Sequence, residues 1–132
     1  MSFEIVGFFL CLALTVVALV ATLIAGLRKQ RRTHVFRALT TVALLVLTIV
    51  FAFMLSKVRE FPPEEMAIHK IFSRTGAYMV VPVAFTGAML WRGPGWRWAH
   101  RGCVAIFLLA VLGASGTGMW VLSLSTPVVV PN

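Results

Sequence analysis

Acidic residues are scarce in this 132-residue chain: there is no aspartate, and the four acids are Glu4, Glu60, Glu64 and Glu65. None lies within an apolar run. A transporter or proton pump ordinarily uses a carboxylate buried near the membrane midplane, because an ionisable group is tolerated there only where it does work. That absence argues against transport by this chain alone. Paired acid/base residues, a nucleophile elbow, a phosphate-binding glycine loop and a metalloprotease motif are missing too, so the expectation is that the chain is not an enzyme. Cysteine is equally sparse. Cys11 and Cys103 are the only two, without the paired spacing of a metal site. They are expected towards opposite membrane faces, which excludes a disulfide between them. No metal site is expected.

What is abundant is apolar side chain. Hydrophobic residues make up 60% of the chain and the mean hydropathy is +0.95, against about 45–50% apolar in soluble domains. They fall into three runs free of charge and a fourth with one charge near its end. A run of about 18 residues is enough to cross a ~30 Å hydrocarbon layer as a helix. The spacing predicts spans over Ile5–Leu27, Ala38–Ser56 and Cys103–Leu124, and a third helix that starts near Pro63, outside the bilayer, and runs to Trp91. Residues 1–132 then form an all-α polytopic membrane protein, a single four-transmembrane-helix bundle.

The net charge of +8 lies between the apolar runs and not on one amphipathic face, which fits basic loops at a membrane surface and excludes nucleic acid as a partner. The first span has its basic residues after it (Arg28, Lys29, Arg31, Arg32), the reverse of a cleaved secretory signal, so it reads as a retained anchor. The first and third loops hold five and three of the twelve Lys and Arg, and the opposite side holds four, diluted by Glu60, Glu64 and Glu65. The richer side is cytoplasmic by the positive-inside rule. Both termini are therefore expected outside. Trp91, Trp96 and Trp98 gather at the cytoplasmic interface, where indole rings prefer to sit.

Punctuation is local. Pro62-Pro63-Glu64-Glu65 suits the first turn of a helix, proline needing no amide donor there and the acids facing the positive end of the helix dipole. Gly93-Pro94-Gly95 makes the next turn, Pro82 is expected to kink the third helix, and Pro127 and Pro131 punctuate the tail. Small residues supply the packing surface that membrane helices need: Ala18, Ala21 and Ala25 on the first helix, Ala84, Gly87 and Ala88 on the third, and Ala110, Gly113, Ala114, Thr117 and Gly118 on the fourth.

Histidine carries what chemistry remains. His34, His69 and His100 each open a different helix. His34 and His100 open the second and fourth, which run parallel, so both fall at similar depth on the cytoplasmic side. Two imidazoles from separate helices at one depth suit axial ligation of a b-type haem. His69 falls across the hydrocarbon and cannot join them. The competing reading gives all three to hydrogen bonds with loops and lipid headgroups, and by that reading the chain needs no cofactor. Arg74, with Tyr78 one turn on, either snorkels to the outer surface or meets an anionic or carbonyl group such as a haem propionate or a quinone.

Several segments together resemble a family of small bacterial four-helix membrane proteins of unknown function. They are His34-Val-Phe-Arg37, Ile68-His69, Met79-Val-Val-Pro82, Arg97-Trp-Ala-His100-Arg101 and Gly116-Thr-Gly118-Met-Trp120, spread over roughly the last hundred residues. Some members of that family are linked to maturation of haem-copper terminal oxidases. The resemblance implies a multi-pass protein of the bacterial inner membrane that serves as an accessory or assembly subunit of a respiratory or other electron-transfer complex, with other membrane subunits and lipid as partners. The outline is also similar to that of four-helix b-type cytochromes.

Overall fold

The computed structural model describes residues 3–128, so the expectation for Pro131 lies outside the described residues. Along the chain come α1 (Phe3–Leu27), α2 (Arg31–Val58), a two-residue strand β1 (Arg59–Glu60), α3 (Pro63–Met89), a short 3-10 turn (Pro94–Trp96), α4 (Arg97–Leu124) and a two-residue strand β2 (Thr126–Pro127). Three segments, α1, α2 and Pro94–Leu124, are long and apolar enough to cross a membrane. α3 is as long as the others, but its first turns carry Glu64, Glu65, Lys70 and Arg74.

The helices outrun the apolar runs. α2 starts at Arg31 and not near Ala38, and α4 at Arg97 and not at Cys103. Hydropathy marks only the stretch suited to lipid, whereas backbone hydrogen bonding continues into the basic flanks, since arginine and lysine are good helix formers. Pro63 occupies the first turn of α3 with Glu64 and Glu65 beside it, as the sequence predicts. α3 continues through Pro82, where a kink was expected. Thr86 Oγ1 donates to the Pro82 carbonyl at 2.7 Å.

The chain divides into two compact units, Met1–Glu60 with Pro127–Asn132, and Phe61–Thr126. The first is the α1/α2 hairpin. Its buried positions are Cys11, Thr15, Thr22 and Ala25 on α1, and Thr41, Thr48 and Leu55 on α2. Their steps of three, four and seven follow a 3.5-residue period, the repeat that keeps one seam of a helix against its partner. Two threonine pairs clasp the seam, Thr15 with Thr48 and Thr22 with Thr41, each with the hydroxyl oxygens 3.0 Å apart. Between apolar helices in lipid there is no hydrophobic drive to associate, so close packing and cross-helix hydrogen bonds hold them. Ala25 is fully buried, and Gly7 lies so close to the Phe51 ring that a methyl group there would overlap it. From Pro127 the tail returns to this unit, where the Val128 amide donates to the Val58 carbonyl at 3.1 Å.

The α1–α2 turn is a Schellman cap. The Gln30 amide donates to the Ala25 carbonyl at 3.0 Å and the Lys29 amide to Gly26 at 3.1 Å, which puts Lys29 in the left-handed region at φ 57°. Glycine is the usual residue there because a Cβ crowds the following carbonyl. Lys29→Gly should therefore stabilise the hairpin by about 1 kcal/mol, read as a later midpoint when the detergent-solubilised protein is titrated with a denaturing surfactant. An unchanged or earlier midpoint would refute that account of the turn.

The second unit is the α3/α4 hairpin. Gly76 and Thr86 are buried on α3, and Phe107, Ala110 and Val121 on α4. The small residues of α4 do face α3: Ala110 lies against Gly76, Gly113 receives the Phe72 ring and Gly118 the His69 ring. Arg97 follows the 3-10 turn, where Phe85 and Trp96 meet edge to face at 5.9 Å.

Candidate functional site

The three histidines opening α2, α3 and α4 are half-buried, and each is held through Nδ1 by the neighbouring helix of its own hairpin. In the first unit, His34 Nδ1 is 2.9 Å from the Thr22 carbonyl. A carbonyl only accepts, so the ring must donate and Nδ1 carries the proton. Gly26 makes room: a Cβ there would stand 3.1 Å from Nδ1. One turn along α2, Arg37 Nη1 donates to the Ala21 carbonyl at 3.0 Å, so a guanidinium is tied to the same end of α1 as the His34 ring.

The second unit contains the same device twice. His100 Nδ1 is 3.1 Å from Thr86 Oγ1, with Gly87 beside the ring. His69 Nδ1 is 3.1 Å from Thr117 Oγ1, with Gly118 beside it. Each threonine hydroxyl has one proton, and in both it is committed to the carbonyl four residues back, Thr86 to Pro82 at 2.7 Å and Thr117 to Gly113 at 2.6 Å. An oxygen so engaged accepts from the ring, and Nδ1 is again the protonated nitrogen. In a neutral imidazole held this way the lone pair falls on Nε2, the arrangement that metal-ligating histidines adopt.

The two stations share one sequence pattern: a histidine, sixteen intervening residues, then Thr-Gly, in His69…Thr86-Gly87 and again in His100…Thr117-Gly118. In an antiparallel hairpin this spacing sets the histidine of each helix against the Thr-Gly of the other. The sequence reading singled out the histidines and the glycines but not their pairing. The signal was available in the identical spacing.

His34 and His100, the candidate haem ligands, stand in different units and are anchored as described. Arg74 and Tyr78 lie on the exposed face of α3, off the line through His69, Gly76 and Thr86. Arg101 lies over the Trp98 ring at 5.9 Å, a cation–π contact at the start of α4. Cys11 and Cys103 are free thiols. Among the described residues no group of three or more His, Cys, Asp or Glu is placed to hold a metal ion. Comparison with protein-family models, curated proteins and solved structures returned no match.

Proposed function

We propose that this chain is a small non-enzymatic accessory or assembly subunit of a larger respiratory or electron-transfer complex in the bacterial inner membrane, spanning it four times with both termini outside. Three apolar helices of membrane-crossing length support the multi-pass part of this reading. The observation that supports the rest is the set of anchored histidines, three rings each hydrogen-bonded through Nδ1 to the neighbouring helix of its hairpin. Its partners are other membrane subunits and lipid.

A strain lacking the chain should accumulate less of the assembled complex on native gels stained for haem, and re-expression should restore it. Unchanged assembly and respiration in that strain would rule the reading out. The four-span topology has its own check. With Cys11 and Cys103 replaced, a membrane-impermeant thiol reagent on intact cells should modify Glu64→Cys and spare Gln30→Cys, since eight of the twelve basic residues lie in the first and third loops. Labelling of the second variant alone would invert the assignment.

A second reading is favoured by the tautomer argument: a b-type cytochrome in which His34 and His100 supply the axial nitrogens and carry electrons through haem. Both rings direct Nδ1–H to an acceptor on their own hairpin, as haem-ligating histidines do to orient Nε2. Arg37 and Arg101 would then be at hand for the propionates.

A further inference from the structure

Arg37 is half-buried, and it is not placed like a side chain escaping to the surface. Thr22 and Thr41 face each other across the seam, so the Arg37 backbone, four residues earlier on α2, stands about 6 Å nearer the α1–α2 turn than that pair. Its guanidinium nevertheless bonds the carbonyl of Ala21, one residue beyond the pair on α1. The side chain therefore leans into the apolar stretch, away from the turn. That bond uses one of its five N–H groups. The hairpin offers no counter-charge for the rest: Glu4 lies seventeen residues before Ala21 and Glu60 twenty-three after Arg37, about 25 Å and 35 Å along the chain axis. A charge in lipid surroundings is kept where it meets an opposite one.

Arg37 crosses one flank of the seam. On α1 that flank is the line of Leu10, Leu14, Val17, Ala21 and Arg28, whose steps of four, three, four and seven keep to one face of a helix. Leu10, Leu14, Val17 and Arg28 are all exposed. The Arg28 backbone stays helical through its bond to the Ile24 carbonyl at 2.9 Å. It stands about 9 Å nearer the turn than the threonine pair, and because helical side chains tilt towards the N-terminus, that of Arg28 leans back towards Arg37. On α2, Thr33 is exposed one turn before Arg37 on the same side.

We propose that this flank binds one anionic phospholipid, its phosphate held between Arg28 and Arg37 and an acyl chain lying along Leu10, Leu14 and Val17. The inference deepens the lipid partnership proposed above and rests on the multi-pass reading. A guanidinium matches phosphate oxygens with paired N–H donors, and the Thr33 hydroxyl adds a third donor group. A soluble anion would use the head of this site and have no use for the apolar strip below it. Arg32 is five residues from Arg37, about 140° round α2, and so belongs to the general basic loop and not to the site.

The test uses the full chain in detergent micelles and native mass spectrometry, with dioleoyl phosphatidylglycerol, dioleoyl phosphatidylcholine and inorganic phosphate as separate probes. One phosphatidylglycerol should be retained in preference to phosphatidylcholine, and inorganic phosphate should not displace it. Arg37→Gln keeps an N–H for the Ala21 carbonyl but removes the charge, so helical content should be unchanged. It should weaken phosphatidylglycerol binding about tenfold, the effect of losing a hydrogen bond to a charged group, and Arg28→Gln should weaken it too. Arg32→Gln removes the same charge from the other side of α2 and should change binding by less than about twofold, as exposed charges do. In intact cells, a photo-crosslinking residue at Leu14 should yield an adduct of phospholipid mass. Four results overturn the inference: equal retention of the two lipids, equal losses in Arg37→Gln and Arg32→Gln, displacement by inorganic phosphate, or a protein in place of lipid in the Leu14 adduct. If alkaline carbonate extracts the chain from membranes, the multi-pass reading falls and takes this inference with it. A carbonate-resistant chain without the lipid preference overturns this inference alone.

Discussion

Gly118→Leu is expected to destabilise the protein by about 2–4 kcal/mol, combining the strain of overpacking with loss of one hydrogen bond. The site has no room for a side chain. A Cβ at Gly118 already stands 3.1 Å from Cε1 and 3.5 Å from Nδ1 of His69, so the larger leucine must push the imidazole away from Thr117 or spread α3 from α4. Leu109→Ala supplies the contrast. Leu109 is 69% exposed, and lipid or detergent fills the surface it vacates, so the change should stay within about 0.5 kcal/mol. Unfolding in a surfactant titration, read by far-UV circular dichroism and by the yield of folded protein, measures both. Equal midpoints would show that the Ala110–Gly118 stripe is not the contact that holds the second hairpin.

The histidines give the other large effect, and they separate the two functional readings. As an accessory subunit the purified chain is expected to be colourless, and His34→Ala, His69→Ala and His100→Ala should all leave the helical content unchanged. The basic stretches Arg28–Arg32 and Arg97–Arg101 flank His34 and His100 with exposed charge, a wetter setting than the apolar pocket of haem b. Stoichiometric haem, with Soret and reduced α bands abolished by His34→Ala and by His100→Ala but kept in His69→Ala, would make the cytochrome reading the leading one. Haem lost only with His69→Ala would fit neither.

The helices could be read from the sequence because charge and proline bracket them. Glu64 and Glu65 after Pro63, and Arg28 to Arg32 after Leu27, are signals that act within one or two turns. Helix ends were less accessible at Arg31 and Arg97, where the apolar run stops but the hydrogen-bonded ladder does not. The seam of the first hairpin was hidden for a different reason. Thr15, Thr22, Thr41 and Thr48 are polar letters at buried positions, and a search for small or apolar stripes passes over them. Their burial makes sense only once each hydroxyl is seen to lie within hydrogen-bond reach of the carbonyl four residues back and of its partner across the seam, the two protons of each pair being shared among those three contacts. His34, His69 and His100 stood out as helix-opening residues. What each ring bonds to depends on antiparallel register, which no single helix discloses, and so Thr86 went unnoticed and Thr117 was read only as a small packing residue.

Under the proposed four-span topology, the repeated histidine-to-Thr-Gly spacing has a consequence for how the second hairpin enters a bilayer. Turned end for end, it would offer the same ring, the same hydroxyl and the same glycine notch to each side, so the two stations themselves carry no sense of up or down. Only the ornaments at its ends are directional: Glu64 and Glu65 at one, Arg92, Arg97 and Arg101 at the other. Orientation and chemistry are thereby written in separate residues, and exchanging the charges at the two ends should invert the hairpin without disturbing either station.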